Sequence, residues 1–433
     1  MNPKLQTLFD KNHIKQTLLN TAYVLFLLSL LYRFVEQLFA TYSYDSWNIS
    51  EYLINYQGGF VRRGLTGEIL FFFAQNFNIN IEWTVKIFCL ICFGAVCVFF
   101  VRAFLKKGYS LYILPLCFFL GMGILWDGGW IRKDYFFIAF LIPVLWIYKS
   151  NLHTIIKFLI INALIVFVIL SHEVFAFFTL PVLFLMFFGQ YESKGIFKST
   201  VLSILFLLPS FVAFILTLYY HGNTETVQAI WNSWGIETVE SGYWNAVGGI
   251  GWKTEWAFSL HFKGNFLEVN KGIFSSLVWC ITFPVVYYIA TNALLVFRKD
   301  KNSFTSKHKT VLSAILIIQL FYLLPVFALL CTDYSRVFFF WIASSYAIFL
   351  IIPANLIKNI IPAFFAKFII SLNNFLSNIL FPRKTTLVLL MLFVGISPYT
   401  FVLDTVINNS MIYNILYILS KPFIILREFL IST

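Results

Sequence analysis

The feature that most restricts this chain is a succession of apolar runs, each close to the length a helix needs to cross a bilayer. A hydrocarbon core about 30 Å thick takes about 20 apolar residues as an α-helix. Runs of that kind lie near 17–38, 82–104, 109–126, 134–148, 155–171, 174–190, 199–220, 273–297, 310–331, 337–354 and 385–403. About eleven crossings follow, several of them short, and the pair flanking His172-Glu173 can also be read as a broken or re-entrant unit. The chain is 60% hydrophobic and 12% charged, and Phe alone contributes 53 residues. Ordinary soluble domains carry roughly a quarter charged residues, so a soluble fold is excluded. The expectation is an all-α polytopic membrane protein, with one transmembrane domain over 1–404 and a tail over 405–433. The first run lacks a small-residue cleavage site and reads as a retained span, not a signal peptide.

The formal net charge of +12 finds its explanation in topology. If the N-terminus is cytoplasmic, the short loops on that side hold 19 of the 31 basic residues, including Arg102, Lys106 and Lys107 and the group from Arg298 to Lys309. The longer loops on the other side hold fewer, as the positive-inside rule requires. That orientation puts the C-terminus outside, the periplasm in a bacterium. A nucleic-acid binder would cluster its cations on one face, and no nucleic-acid partner is expected. Segment 356–384 alternates apolar residues with Lys and Asn and reads as an amphipathic helix on the cytoplasmic surface. The tail 405–433 resembles it and would lie on the outer face or insert.

The unusual chemistry collects in the outer segments, 39–81, 127–134, 172–173, 221–272 and 332–336. In the first loop Asp45 and Glu51 precede Gly58-Gly59 and the pair Arg62-Arg63, which sits outside against the topological bias. Arginine forks bind phosphate oxygens bidentately, and flexible glycines would let backbone amides approach the same anion. The plainer reading is a solvated loop touching lipid headgroups. The stretch to about residue 78 reads as a helix lying in the interface. A second cluster, Trp126-Asp127-Gly128-Gly129-Trp130-Ile131-Arg132-Lys133-Asp134, opens the fourth run. Asp134 there would also suit a helix N-terminus.

His172-Glu173 lies between two apolar runs, where ionisable groups mark a functional site by default. A structural pair with Glu173 orienting His172 is the alternative. HExxH is absent, since Ala176 stands where the second His would be. Asp333 and Arg336, three apart, could pair on one helical turn, either as a helix cap or in the site. Loop 221–272 is rich in aromatics, among them Trp231 and Trp244, which suit either an interfacial belt or stacking on sugar rings. Cys89 and Cys92 have CxxC spacing but lie inside a span without other soft ligands, and read as small buried hydrophobes.

This arrangement resembles the GT-C class of integral-membrane glycosyltransferases. In that class a first span is followed by an outer loop with an acidic residue and interfacial helices, and a second charged motif opens the fourth span. Asp45 and Glu51 match the first position and Arg132-Lys133-Asp134 the second; no strict DxD or ExD is present in the first loop. Length, Phe content and an outside C-terminus also look like the glycosyltransferases that modify O-antigen. O-antigen polymerases are similar in size but commonly carry arginine-rich loops between later spans.

The resemblance implies a periplasmic-face enzyme taking a sugar from undecaprenyl phosphate and passing it to a polysaccharide or lipid-linked glycan. It requires no cofactor, and a divalent cation is compatible with it. Catalytic candidates are Asp45, Glu51, Asp134, His172 and Glu173. Substrate-binding candidates are Arg62, Arg63, Arg132, Lys133, Asp333, Arg336, Trp231 and Trp244, with membrane lipids around them. The rivals are a repeat-unit polymerase using pyrophosphate-linked glycan and a flippase or transporter.

Overall fold

The computed structural model describes residues 11–432 except 127, 237–244, 253–254, 256–258, 260–271, 297–304, 331–333, 381–382 and 395–409. It is all-α. The helices are α1 Lys11–Phe39, α2 Trp47–Leu53, α3 Gly64–Phe77, α4 Ile81–Lys106, α5 Asp134–Lys149, α6 Thr154–Ser171, α7 Val174–Tyr191, α8 Ile196–Tyr219, α9 Thr224–Ser233, α10 Gly272–Val296, α11 Ser306–Pro325, α12 Tyr334–Ile351, α13 Ala354–Ile360, α14 Ala363–Leu380, α15 Lys384–Phe393 and α16 Met411–Ser432. Eight helices are long and apolar enough to cross a membrane, which marks a multi-pass membrane protein.

Capping fixes several starts. Ser46, Asn80, His153 and Asn223 each accept a hydrogen bond from a backbone N–H of the first turn of α2, α4, α6 and α9, satisfying a donor that has no partner within the helix.

One expected crossing is not a helix. Residues 109–126 run as successive turns, with only Met122–Leu125 helical. Pro115 has no N–H to give, and Gly121 packs so tightly that a Cβ would sit 2.1 Å from the Pro115 carbonyl oxygen. The segment nevertheless follows α1: Tyr23 donates to the Leu111 carbonyl and Gln37 to the Ile124 carbonyl. Those two α1 positions are about 20 Å apart at 1.5 Å per residue. Irregular backbone at that depth is tolerated only inside protein, and Phe118 and Phe119 are fully buried.

α12 is the central post, with every residue from Tyr334 to Ile351 buried. It packs mainly on α11 and α5. α14 turns only Ile369, Asn373 and Leu376 inward, one helical stripe, as its amphipathic sequence predicts. The 385–403 run begins as α15 and passes beyond the described residues. α16 packs along α1, with Lys421 3.7 Å from Glu36, so the tail docks on the bundle.

A second, smaller core lies at one end. It is built by Ile49, Leu53, Val61, Trp130, Ile131, Val227, Trp231 and Val247, from α2, the segment before α3, α9, the turn 129–131 and the short helix Ala246–Ile250. α3 crosses this layer closely, because Gly67 lies against the Ile54 carbonyl; a Cβ there would be 1.8 Å from the oxygen. The seam between the two cores holds the charged residues.

Candidate functional site

Five segments deliver charge to that seam. α2 brings Glu51, the turn before α3 brings Arg62 and Arg63, and the approach to α5 brings Arg132, Lys133 and Asp134. The α6–α7 corner brings His172 and Glu173, and the first turn of α12 brings Arg336. They form one connected network. Arg132 Nε donates to Glu51 Oε2 at 3.0 Å, and Arg336 Nη2 lies 3.6 Å from Glu51 Oε1. Arg336 also makes a two-pronged contact with Asp134, 2.8 Å on each arm. Arg63 Nε is 3.0 and 3.1 Å from the Glu173 oxygens, and Arg62 Nη1 is 3.9 Å from Oε1.

His172 joins the halves, with Nε2 3.7 Å from Glu51 and Nδ1 3.5 Å from Glu173. Its Nδ1 accepts the Val174 N–H at 3.2 Å, so the imidazole proton belongs on Nε2, facing Glu51. Lys133 Nζ donates to the Ser171 carbonyl at 3.0 Å and the Arg63 carbonyl at 3.4 Å. It thereby ties the end of α6 to the turn that carries the arginine pair. Trp126 lies beneath both Arg132 and Arg336, at 5.3 and 5.6 Å, and Tyr52 beneath Lys133 at 5.2 Å. Aromatic faces favour desolvated cations in this way.

The protonation pattern follows from burial and neighbours. Burial opposes ionisation of Glu51, but Arg132 and Arg336 outweigh it and hold the carboxyl well below the usual range. Glu173 behaves alike: burial is overcome by Arg63 and Arg62. Burial, with Arg63 second, pushes the His172 imidazole well below its ordinary value, so it is neutral. Burial lowers the Lys133 ammonium to about 8, still charged at neutral pH. Among the described residues five cations therefore face three carboxylates, an excess of two positive charges. Excess buried charge is costly, and a dianion would offset it.

The network has an inside and a mouth. Glu51 is 1% exposed and Asp134 and Lys133 are fully buried, whereas Arg62 and Arg63 are 22% and 20% exposed. The Arg62 backbone N–H is anchored to the Tyr220 carbonyl at 2.8 Å. Its guanidinium Nη2 donates to the Gly249 carbonyl at 3.4 Å, while Nε is buried without a hydrogen-bond partner among the described residues. Arg63 sits at φ 67°, a left-handed conformation that non-glycine residues seldom adopt and that persists where surroundings enforce it. Below lies an aromatic floor: Phe137 is 5.3 Å from His172 and 5.7 Å from Phe340, which stacks on Phe178 at 5.5 Å.

Nine of the thirteen candidates thus meet. Asp45 does not; it is exposed and accepts a hydrogen bond from Ser43. Trp231 is 3% exposed in the small core, so its faces are committed to packing and not open to a sugar. Trp244 and Asp333, like Asp127, lie outside the described residues. Asp134 does more than begin a helix, since both its oxygens engage Arg336. Gly58 packs on α9, where a Cβ would meet the Thr226 carbonyl at 2.9 Å, and the Gly59 N–H donates to the Tyr56 carbonyl at 3.0 Å, so that amide is already engaged.

Sequence reasoning missed Tyr52 and Ser171 as supports, neither of which carries a distinguishing pattern. It also missed Lys86, buried inside α4 and bonded to the Ala40 carbonyl at 2.7 Å and to Glu82. A lone lysine in an apolar run was the available signal. Cys89 Sγ lies 3.0 Å from both the Tyr52 hydroxyl and the Ile131 carbonyl, and Cys89 and Cys92 are unbridged. Among the described residues no three His, Cys, Asp or Glu side chains converge as metal ligands. Comparison with protein-family models, curated proteins and solved structures finds no match.

Proposed function

We propose that this protein is a glycosyltransferase of the bacterial inner membrane, related in design to the GT-C class, with about eleven crossings and its site on the periplasmic face. It would take a sugar from undecaprenyl phosphate and pass it to a surface polysaccharide such as O-antigen. The observation that carries this reading is the excess, among the described residues, of two positive charges in a largely buried network whose outermost member, Arg62, has a buried guanidinium Nε without a hydrogen-bond partner among those residues. Two arginine forks at a mouth suit a phosphate ester. In the reaction the acceptor oxygen bonds to the anomeric carbon, and the carbon–oxygen bond to phosphate breaks with its electron pair moving to the phosphate. A carboxylate takes the acceptor's proton, and the arginines stabilise the charge gathering on the leaving group. Glu51 and Asp134 are sealed behind arginines, so Glu173 beside His172 is the better placed acid–base pair.

The aromatic floor, with Phe137 packed against both His172 and Phe340, favours chemistry over passage. The test is a host strain whose own copy is deleted and replaced by Arg62→Ala or Arg132→Ala. Loss of glycan modification with unchanged ladder length is expected. Shortened ladders would assign a repeat-unit polymerase instead, and full modification at normal protein level in both variants refutes the phosphate site.

A further inference from the structure

The three carboxylates of the network are not equivalent. Glu51 and Asp134 engage the buried arginines Arg132 and Arg336. Glu173 occupies the mouth, its two oxygens in the fork of Arg63 and within 3.9 Å of Arg62. A carboxylate presents two acceptor oxygens to a guanidinium in the same geometry as two oxygens of a phosphate. Any anion arriving from solvent meets Arg62 and Arg63 first and finds their fork filled.

We propose that Glu173 is a stand-in for the substrate's phosphate: it holds the Arg62–Arg63 fork in the ligand-free protein, and an incoming phosphate ester displaces it toward His172, where it becomes the carboxylate that accepts the acceptor's proton. This inference rests on the phosphate-ester reading above and names the base within it. Three observations support it. The backbone of Arg63 is held in a left-handed conformation, as at ligand clamps. The imidazole Nδ1 of His172 already lies 3.5 Å from Glu173, so displacement needs no long excursion. The phosphodiester donor brings one negative charge to the fork, as Glu173 does, and the second charge that develops on the phosphate as the sugar leaves is set against the positive excess among the described residues.

The charged and titratable groups facing Glu173 are Arg62 and Arg63 from the turn before α3, His172 from its own corner, and Lys133 from before α5. Once a phosphate holds the arginines, the freed carboxylate keeps its burial and loses its main cation. Its proton affinity therefore rises toward neutrality, the range that suits a general base. Phosphate binding should then draw a fraction of a proton onto the Glu173–His172 pair.

The experiment is calorimetry on the full chain in lipid nanodiscs, with inorganic phosphate and a polyprenyl monophosphate as probes, between about pH 6 and 8. Glu173→Gln should bind either probe roughly tenfold tighter, because no competing anion fills the fork. The affinity gain of wild type on acidification, relative to that variant, should vanish in Glu173→Gln; comparing the two proteins cancels the probe's own ionisation. If Glu173→Gln does not fold, Glu173→Asp keeps the charge but withdraws it by one methylene, and should bind more tightly with the pH dependence retained. Tighter binding of the polyprenyl ester assigns a lipid headgroup and equal binding a free phosphate; displacement of Glu173 is supported by either. Wild-type binding with no gain in the variants, or identical pH profiles for wild type and Glu173→Gln, overturns the stand-in while leaving the phosphate site intact. No binding of either probe, unchanged by Arg63→Ala, sinks both.

Discussion

Replacing Glu51 by Gln tests whether the network is one electrostatic unit. The carboxylate is 1% exposed, pairs with Arg132 at 3.0 Å, and has Arg336 at 3.6 Å and His172 at 3.7 Å. The amide keeps the shape and one acceptor but removes the charge that neutralises Arg132, itself buried. Removing one partner of a buried pair costs about 3–5 kcal/mol; the retained acceptor places the variant near 3 kcal/mol, a shift of roughly a hundredfold in the folding equilibrium. Asp45→Asn is the control, since an exposed carboxylate that accepts a hydrogen bond from Ser43 should change stability by no more than about 0.5 kcal/mol when neutralised.

The assay is reversible unfolding of the purified protein in mixed micelles with increasing denaturing detergent. Glu51→Gln/Arg132→Gln completes a double-mutant cycle. Because the second change removes the stranded cation, the double variant should recover about 1–3 kcal/mol relative to the sum of the singles. Equal midpoints for Glu51→Gln and Asp45→Asn, or strict additivity in the cycle, would refute the description of Glu51 as the hub of a coupled cluster.

Other outcomes are equally specific. The folded protein refuses a proton on His172 that the unfolded chain accepts near pH 6.5, so stability should fall as pH drops below that value, by up to about 2 kcal/mol at pH 5. His172→Asn should flatten that slope in pH-dependent unfolding. Glu51 and Glu173 contribute stability that is present above about pH 4.3 and lost as pH falls through their lowered values, a second acid limb that Glu173→Gln should diminish. Gly67→Ala places a Cβ 1.8 Å from the Ile54 carbonyl and should destabilise by about 1–3 kcal/mol or more. Gly94→Ala, with nothing within 4 Å, should change the unfolding midpoint by less than about 1 kcal/mol, in the opposite sense. Arg63→Lys keeps the charge but loses the fork on Glu173, and glycan modification should fall at least about tenfold in the complemented strain.

The sequence by itself determined the solvent and the class of fold. Apolar runs of spanning length are the signature of helices that satisfy their own backbone, and the long runs became α1, α4, α6, α7, α8, α11 and α12 within about six residues of the expected limits. It also singled out the charged residues worth watching, because an arginine or carboxylate beside an apolar run is conspicuous by its cost. Three things were not legible. Residues 109–126 are as apolar as a helix, yet Pro115 and the packing of Gly121 break them, and only surrounding protein makes an irregular path tolerable there. Asp45 and Glu51 are six positions apart and look interchangeable, but the single turn of α2 between them leaves one in solvent and buries the other. Which acid meets which arginine depends on contacts as distant as Asp134 with Arg336. Hydropathy records whether a residue can afford to be buried; pairing is decided by which helix ends the packing of α5, α6, α7 and α12 brings within a few ångströms.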